Sequence, residues 1–115
     1  MSVEKYKAYL EVLGETIKQD TGSEAAHAVM AMASEMLTQI LVKNTKRGDS
    51  WVNSFDAYTC VGLVKAKCDR VQIMLNKVST GQLKMEDYRD EIVEENADAA
   101  NYLAFATYLV RRNGT

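Results

Sequence analysis

The chain contains no proline in 115 residues. Proline is the residue that most often kinks or ends a helix, because its ring removes a backbone donor and clashes with the preceding turn. Its absence therefore favours long, uninterrupted helices. No stretch shows the alternation of polar and apolar residues that is typical of a half-buried strand. We therefore predict an all-α protein.

Apolar residues at helical spacing predict four helices. The predicted helices span about 3–19, 21–43, 55–78 and 86–112. Thr21 and Glu24 have the spacing of a capping box at the start of the second helix. Gly81 is placed to end the third helix. Short links between long helices are typical of an antiparallel bundle, which we expect to form one domain over residues 1–115.

The expected core positions recur every three or four residues along each helix. In the third helix they are Val61, Val64, Cys68, Val71 and Leu75. In the fourth helix they are Ile92, Ala99, Leu103 and Val110. The first helix has a narrow, almost heptad apolar stripe, so it could pack within the chain or against a second subunit.

Charge, hydropathy and cysteine usage limit the classes of partner. The net charge of −2 argues against a general nucleic-acid binder, which would carry a basic excess. The longest apolar run, residues 25–33, is too short to span a bilayer, and the charged start does not resemble a secretory signal. Cys60 and Cys68 lie about two helical turns apart, too far for a disulfide. Unpaired thiols fit a reducing cytoplasm, where we expect the protein to be located.

Seven of the 16 acidic residues lie between Glu86 and Asp98. On a helix, Glu91, Glu95 and Asp98 fall within about 60° of one another, and Tyr102 continues the same stripe. Carboxylates three and four residues apart can hold one magnesium ion, which prefers oxygen ligands. The alternative is a solvated face, since acids at a helix start are favoured by its dipole. The dipole accounts for the first turn but not for Glu95 and Asp98, so both interpretations stay open.

Four short motifs follow one another along the second half of the chain. They are "KRGDSW" at 46–51, "KCDR" at 67–70, "ENAD" at 95–98 and the overlapping "DAANYL" at 98–103. "ENAD" resembles the E-x-x-D element of the MazG-like superfamily of all-α nucleoside triphosphate pyrophosphohydrolases. The other three motifs, in this order, resemble the phage and bacterial nucleotide modification associated domain group within it. The resemblance covers about residues 40–108.

The resemblance implies an oligomeric helical protein with a Mg²⁺-dependent site between helices. Its chemistry would cleave a nucleoside triphosphate between the α and β phosphates, giving monophosphate and pyrophosphate. The metal would be held by Glu95 and Asp98, with Asp69 as a further candidate ligand. Glu91 and Glu94 would assist in catalysis.

The resemblance also implies how the nucleotide would be held. Lys67 and Arg70 would neutralise phosphate charge, with arginine suited to bidentate contact. Trp51, Asn101 and Tyr102 would contact the base or sugar, although Trp51 can also be interpreted as a packing anchor. The setting would be bacterial, or the host cytoplasm for a phage-encoded protein.

The chain departs from the family's catalytic pattern on the third helix. Catalytic members carry a second acidic motif there, E-E-x-x-E or similar, whereas this helix offers only Asp69 among Lys65, Lys67 and Arg70. Asp69 also has the spacing of a surface ion pair with Lys65. Basic residues in place of acids suit an anion better than several metal ions. Two alternatives therefore stay open: a non-catalytic binder that sequesters a nucleotide or cyclic dinucleotide, and a helical oligomeric interaction module.

Overall fold

The computed structural model describes residues 3–47 and 55–113. These residues form four α-helices and no strand, so the predicted all-α class is confirmed. The helices are α1 (Val3–Thr21), α2 (Glu24–Arg47), α3 (Ala57–Ser79) and α4 (Met85–Asn113). Each lies within a few residues of its predicted range. The largest difference is at the end of α2, which continues through the polar run "NTKR" because lysine and arginine are good helix formers.

The chain divides into two compact units, Met1–Gly48 and Asp49–Thr115. In the first unit α1 packs on α2, and in the second α3 packs on α4. The interpretation of residues 1–115 as one domain stays a prediction.

Two side-chain contacts within the first unit show that its helices are antiparallel. Lys7 lies 3.8 Å from Glu35, and His27 lies 3.1 Å from Glu15. Residue numbers therefore rise along α1 as those of their partners fall along α2. The first unit is a helical hairpin, as its two-residue link requires.

The link between α1 and α2 corrects the predicted capping box. Ser23, not Thr21, caps α2, because its Oγ accepts a hydrogen bond from the Ala26 N–H at 3.0 Å. Thr21 still belongs to α1, where its hydroxyl donates to the Ile17 carbonyl at 2.7 Å. Gly22 takes a φ of 68°, a left-handed conformation that glycine adopts without strain. This turn places the cap two residues later than the predicted one.

The helix α2 contains a segment, Glu24–Lys43, that is long and apolar enough to cross a membrane by length and composition. Helices of soluble proteins can meet the same criterion. Glu35 lies near the middle of this segment and pairs with Lys7 of α1. A charged residue at that depth of a bilayer is costly. The expected lack of a membrane partner stays a prediction.

The second hairpin, α3 with α4, contains two apolar clusters. The Cys60 cluster consists of Cys60, Ala106 and Leu109, with Phe55, Ala57, Tyr102 and Phe105 packed against it. The Val71 cluster consists of Val71, Met74 and Ile92, with Met85 and Tyr88 packed against it. In chain order the Cys60 cluster involves the start of α3 and the end of α4, so these helices are also antiparallel.

The predicted core register of the second hairpin is correct at Val71, Ile92 and Ala99, which are buried, and wrong at several other positions. The predicted core residues that are exposed are Val61, Cys68, Leu75, Leu103 and Val110. Burial falls instead on a face of α4 that also carries Asp98 and Asn101. That face can be buried because α3 supplies side chains of opposite charge to its carboxylates.

Gly81 follows α3, as predicted, with a φ of 79°. We expect Gly81→Ala to lower the free energy of unfolding by about 1 kcal/mol, because a Cβ disfavours this left-handed conformation. Gly62 lies inside α3, and a Cβ there would meet no atom within 4 Å. Gly62→Ala is therefore expected to raise stability by up to about 1 kcal/mol. Urea unfolding measures the stability of both variants. A Gly81→Ala protein as stable as the wild type would contradict the left-handed conformation at Gly81.

Asp56 caps α3, and its Oδ1 accepts a hydrogen bond from the Thr59 N–H at 2.7 Å. Hydrogen bonds from the Thr59 backbone and then its side chain hold the pKa of Asp56 below its usual value. Because the folded pKa is the lower one, this stabilisation is complete above the unfolded pKa and is lost as pH falls through the folded pKa.

Asp56→Asn keeps a good capping side chain but cannot titrate. We expect this variant to lose less stability than the wild type as the pH falls from about 5 to about 2. Urea unfolding across that range measures the difference. The same pH dependence in both proteins would show that Asp56 does not contribute to acid sensitivity.

Candidate functional site

Four of the predicted site residues meet between α3 and α4. The Lys67 Nζ lies 3.3 Å from Glu95 Oε1 and 3.4 Å from Asp98 Oδ2. The Arg70 Nη1 lies 3.3 Å from the other Glu95 oxygen, Oε2. We call these four residues the charge cluster. The hairpin thus brings the two basic residues predicted to bind phosphate into contact with two carboxylates predicted to hold a metal.

Helical spacing places the members of the charge cluster. Lys67 and Arg70 lie three residues apart on α3, and Glu95 and Asp98 lie three residues apart on α4, so each pair shares one helix face. On both helices the pair lies, in chain order, between the residues of the Cys60 cluster and those of the Val71 cluster. Apolar packing on either side therefore sets the register that brings the two pairs together.

The charge cluster has a shielded part and an open edge. The side chains of Glu95 and Asp98 are 13% and 9% exposed, and that of Lys67 is 20% exposed. Arg70 is 60% exposed. Shielded carboxylates need a charged partner, because removing a charge from water is costly. Lys67 supplies that partner for both carboxylates, whereas Arg70 contacts Glu95 from the solvent side.

Asn101 and Tyr102, predicted to contact the base or sugar, follow Asp98 along α4. Asn101 is buried on the same face as Asp98. Tyr102 packs edge-to-face between Phe55 and Phe105, with ring centroids 6.4 and 6.2 Å apart. Asn101 therefore adjoins the charge cluster, while the ring of Tyr102 contributes to the apolar Cys60 cluster.

The other predicted site residues are not brought into the charge cluster. Glu91 and Glu94 are exposed on α4. Asp69 lies about 200° around α3 from Lys67, on the opposite face. There it lines a separate groove with Gln72, Ile73, Asn76, Lys77 and Gln82. Trp51 lies outside the described residues.

The carboxylates of the charge cluster fit one magnesium ion. Glu95 and Asp98 each place one oxygen within 3.4 Å of the Lys67 Nζ, so both carboxylates face the same cationic group. Magnesium is commonly held by one or two carboxylates, with water and substrate phosphates completing its shell. In the part of the chain that the structure describes, no group of three or more His, Cys, Asp or Glu could hold a metal. Glu95 and Asp98 are therefore the residues of the charge cluster that could hold a magnesium ion.

The two cysteines differ in their surroundings. Cys60 is buried in its cluster, and Cys68, expected in the core, is exposed. Burial, and then the charge of Asp56, raises the pKa of the Cys60 thiol. A thiol that stays protonated is a poor nucleophile, so Cys60 serves packing.

Sequence reasoning missed an apolar groove beside the Cys60 cluster, with a volume of about 540 Å³. Its lining residues are Ala57, Tyr58, Val61, Leu103, Ala106, Thr107, Val110 and Arg111. Val61, Leu103 and Val110 are core residues in the predicted register, so that register predicts no groove here. Direct pairing of Lys67 with Glu95 and Asp98 was also missed. Opposite charges on two helices joined by a short link were the signal that could have indicated it.

Comparison with known proteins adds no family assignment. No family model, curated protein or solved structure matches the chain. The MazG-like interpretation rests on the motifs and stays a prediction, and the geometry of the charge cluster is the independent basis for a functional proposal.

Proposed function

We propose that the protein is a MazG-like nucleotide-binding protein that hydrolyses a nucleoside triphosphate to monophosphate and pyrophosphate. The observation that carries the proposal is the charge cluster, in which two basic side chains meet two shielded carboxylates. Phosphate oxygens need cationic donors, and magnesium needs carboxylate oxygens. The cluster offers both within the reach of one bound triphosphate.

Arg70 and Lys67 would bind the phosphates. Arg70 is mostly exposed, so its guanidinium can leave Glu95 and turn toward a ligand without disturbing the apolar clusters. Its planar donors suit bidentate contact with a phosphate group. Lys67 provides a compact charge deeper in the hairpin, next to both carboxylates.

Glu95 and Asp98 would hold the magnesium ion. When bound, magnesium supplies charge neutralisation at the phosphates and lowers the pKa of water. Glu91 lies one helical turn before Glu95 on the same side of α4, so its exposed carboxylate can accept a proton from the attacking water. Glu94 would assist from the neighbouring exposed position, and Asn101 would contact the base or sugar.

A non-catalytic binder is the second candidate. In the described residues the shielded carboxylates already have basic partners, and no third acid completes a metal-binding group. A cluster of this kind could open to take an anion without cleaving it. The ligand would then be a nucleotide or cyclic dinucleotide that is released unchanged.

The proposal includes a homo-oligomer in the cytoplasm of a bacterium or of a phage-infected host. Both hairpins expose large apolar side chains, including Tyr9, Val12 and Val29 in the first and Tyr58, Val61 and Leu103 in the second. Such surfaces favour association with further helices. If association were the whole function, as in an interaction module, no nucleotide would change the melting temperature.

The proposal is tested by incubating the protein with Mg²⁺ and each common ribo- and deoxyribonucleoside triphosphate, then separating the products by ion-exchange chromatography. Monophosphate and pyrophosphate in equal amounts, absent when the metal is chelated, would support hydrolysis. A triphosphate that is retained on the protein and released intact on denaturation would favour the binder. No product, no retained ligand and no change in melting would favour the interaction module.

A further inference from the structure

One ammonium group serves both carboxylates of the charge cluster. The Lys67 Nζ lies 3.3 Å from a Glu95 oxygen and 3.4 Å from an Asp98 oxygen. Glu95 and Asp98 are also the side chains that would hold the magnesium ion of the proposed function. Lys67 therefore holds a positive charge where the metal of the proposed function would be.

We propose that Lys67 is a surrogate cation, which occupies the Glu95–Asp98 pair until a metal–polyphosphate ligand arrives and then moves to the phosphate. The inference rests on the proposed function and describes how its site is regulated. A free metal ion would displace the ammonium, which is 20% exposed, from both carboxylates that it now contacts. A ligand that brings metal and phosphate together gives the metal to the carboxylates and the phosphate to the ammonium. Every charged group of the site then keeps a partner of opposite charge.

The net charge of the cluster also favours joint binding of metal and polyphosphate over binding of the metal alone. The two acids and two bases of the charge cluster have no net charge, so a free divalent ion would create an excess of positive charge. A metal–triphosphate complex carries net negative charge and avoids that excess. Metal and polyphosphate are therefore expected to strengthen each other's binding by the same factor.

Lys67, rather than Arg70, is assigned this role because of its contacts and burial. Lys67 contacts both carboxylates, whereas Arg70 contacts only Glu95 in the cluster and is 60% exposed. The flexible stem of lysine also lets the ammonium move while the backbone of α3 stays in place.

The test measures Mn²⁺ binding to the full chain without nucleotide, by electron paramagnetic resonance. We expect Lys67→Met to bind Mn²⁺ about tenfold more tightly than the wild type, since the competing ammonium is gone. Lys65→Met, which removes an exposed lysine of α3 outside the cluster, is the matched control and should match the wild type. Equal Mn²⁺ affinity in the wild type and Lys67→Met would overturn the proposal.

Inorganic tripolyphosphate provides a second readout. It should raise the Mn²⁺ affinity of the wild type. This increase should be smaller in Lys67→Met, because that variant has no ammonium to move from the carboxylates to the phosphate. Adding Asp98→Asn to Lys67→Met should remove the gained Mn²⁺ affinity. If that affinity persists, the metal binds elsewhere and the surrogate role is wrong.

Two measurements keep the test decisive if Lys67→Met does not fold by itself. Mn²⁺ should then restore its helical circular dichroism, because the metal replaces the missing charge. Lys67→Gln, which keeps a hydrogen-bond donor, should show the same gain in Mn²⁺ affinity over the wild type. A chain that stays unfolded with Mn²⁺, together with wild-type affinity in Lys67→Gln, would contradict the surrogate role.

The outcomes separate this inference from the proposed function. Triphosphate hydrolysis by the wild type without a gain of Mn²⁺ affinity in Lys67→Met would overturn the surrogate role alone. A gain of Mn²⁺ affinity in Lys67→Met, together with tripolyphosphate coupling in the wild type, would overturn the proposed function alone if the protein neither bound nor cleaved any nucleoside triphosphate.

Discussion

Glu95→Gln and Asp98→Asn are each expected to lower the rate of triphosphate hydrolysis by about 100-fold or more, because charge stabilisation by a metal is worth several kcal/mol. Both changes keep the size of the side chain and remove one of the two converging carboxylates. The shielded position of both groups means that water cannot easily replace the lost ligand. Pyrophosphate release at saturating Mg²⁺ and substrate measures the rate.

Glu86→Gln is the matched control for this prediction. Glu86 is an exposed acid in the first turn of α4, outside the charge cluster, and its loss should leave the rate unchanged. Circular dichroism verifies that all three variants fold. Full activity in folded Glu95→Gln and Asp98→Asn proteins would exclude these carboxylates as the metal ligands.

Leu109→Ala is expected to lower the free energy of unfolding of the second hairpin by about 2–3 kcal/mol, as truncation of a buried leucine does. Leu109 is 4% exposed within the Cys60 cluster, where the removed atoms would leave a cavity. Urea unfolding followed by circular dichroism measures the loss.

Leu103→Ala makes the same chemical change on the same helix, so differences in helix propensity cancel. Leu103 is 51% exposed, and we expect its loss to cost well under about 1 kcal/mol. The core register predicted from sequence places Leu103 inside and does not include Leu109. A larger loss for Leu103→Ala would therefore support that register and contradict the structure.

The helices follow from local interactions, so the sequence was sufficient to predict them. Backbone hydrogen bonds within a helix join residues four apart, and no proline interrupts them. The left-handed conformation at Gly81 also depends on one residue, and its position was predicted correctly. The end of α2 was predicted less well, because a polar run does not itself stop a helix when its residues have high helix propensity.

Which face of α4 is buried depended on α3, so it could not be predicted from α4 alone. The helix carries more than one stripe able to face a partner, and the stripe with Leu103 has the stronger apolar signal in sequence. The observed interface instead includes Asp98, whose charge can be shielded only because Lys67 lies opposite. The pairing of opposite charges between α3 and α4 therefore explains why the observed register differs from the one that hydrophobic periodicity predicts.

By itself, the sequence determined the all-α class, the approximate helix bounds and the placing of Lys67, Arg70, Glu95 and Asp98 at matched spacings on two helices. Only the tertiary structure decided that one lysine is shared by both carboxylates and that Asp69 lies on the opposite face of α3 from that lysine. Spacing along a helix is set by its own hydrogen bonds. Distances between two helices are set by the side chains that pack between them, here those of the Cys60 and Val71 clusters.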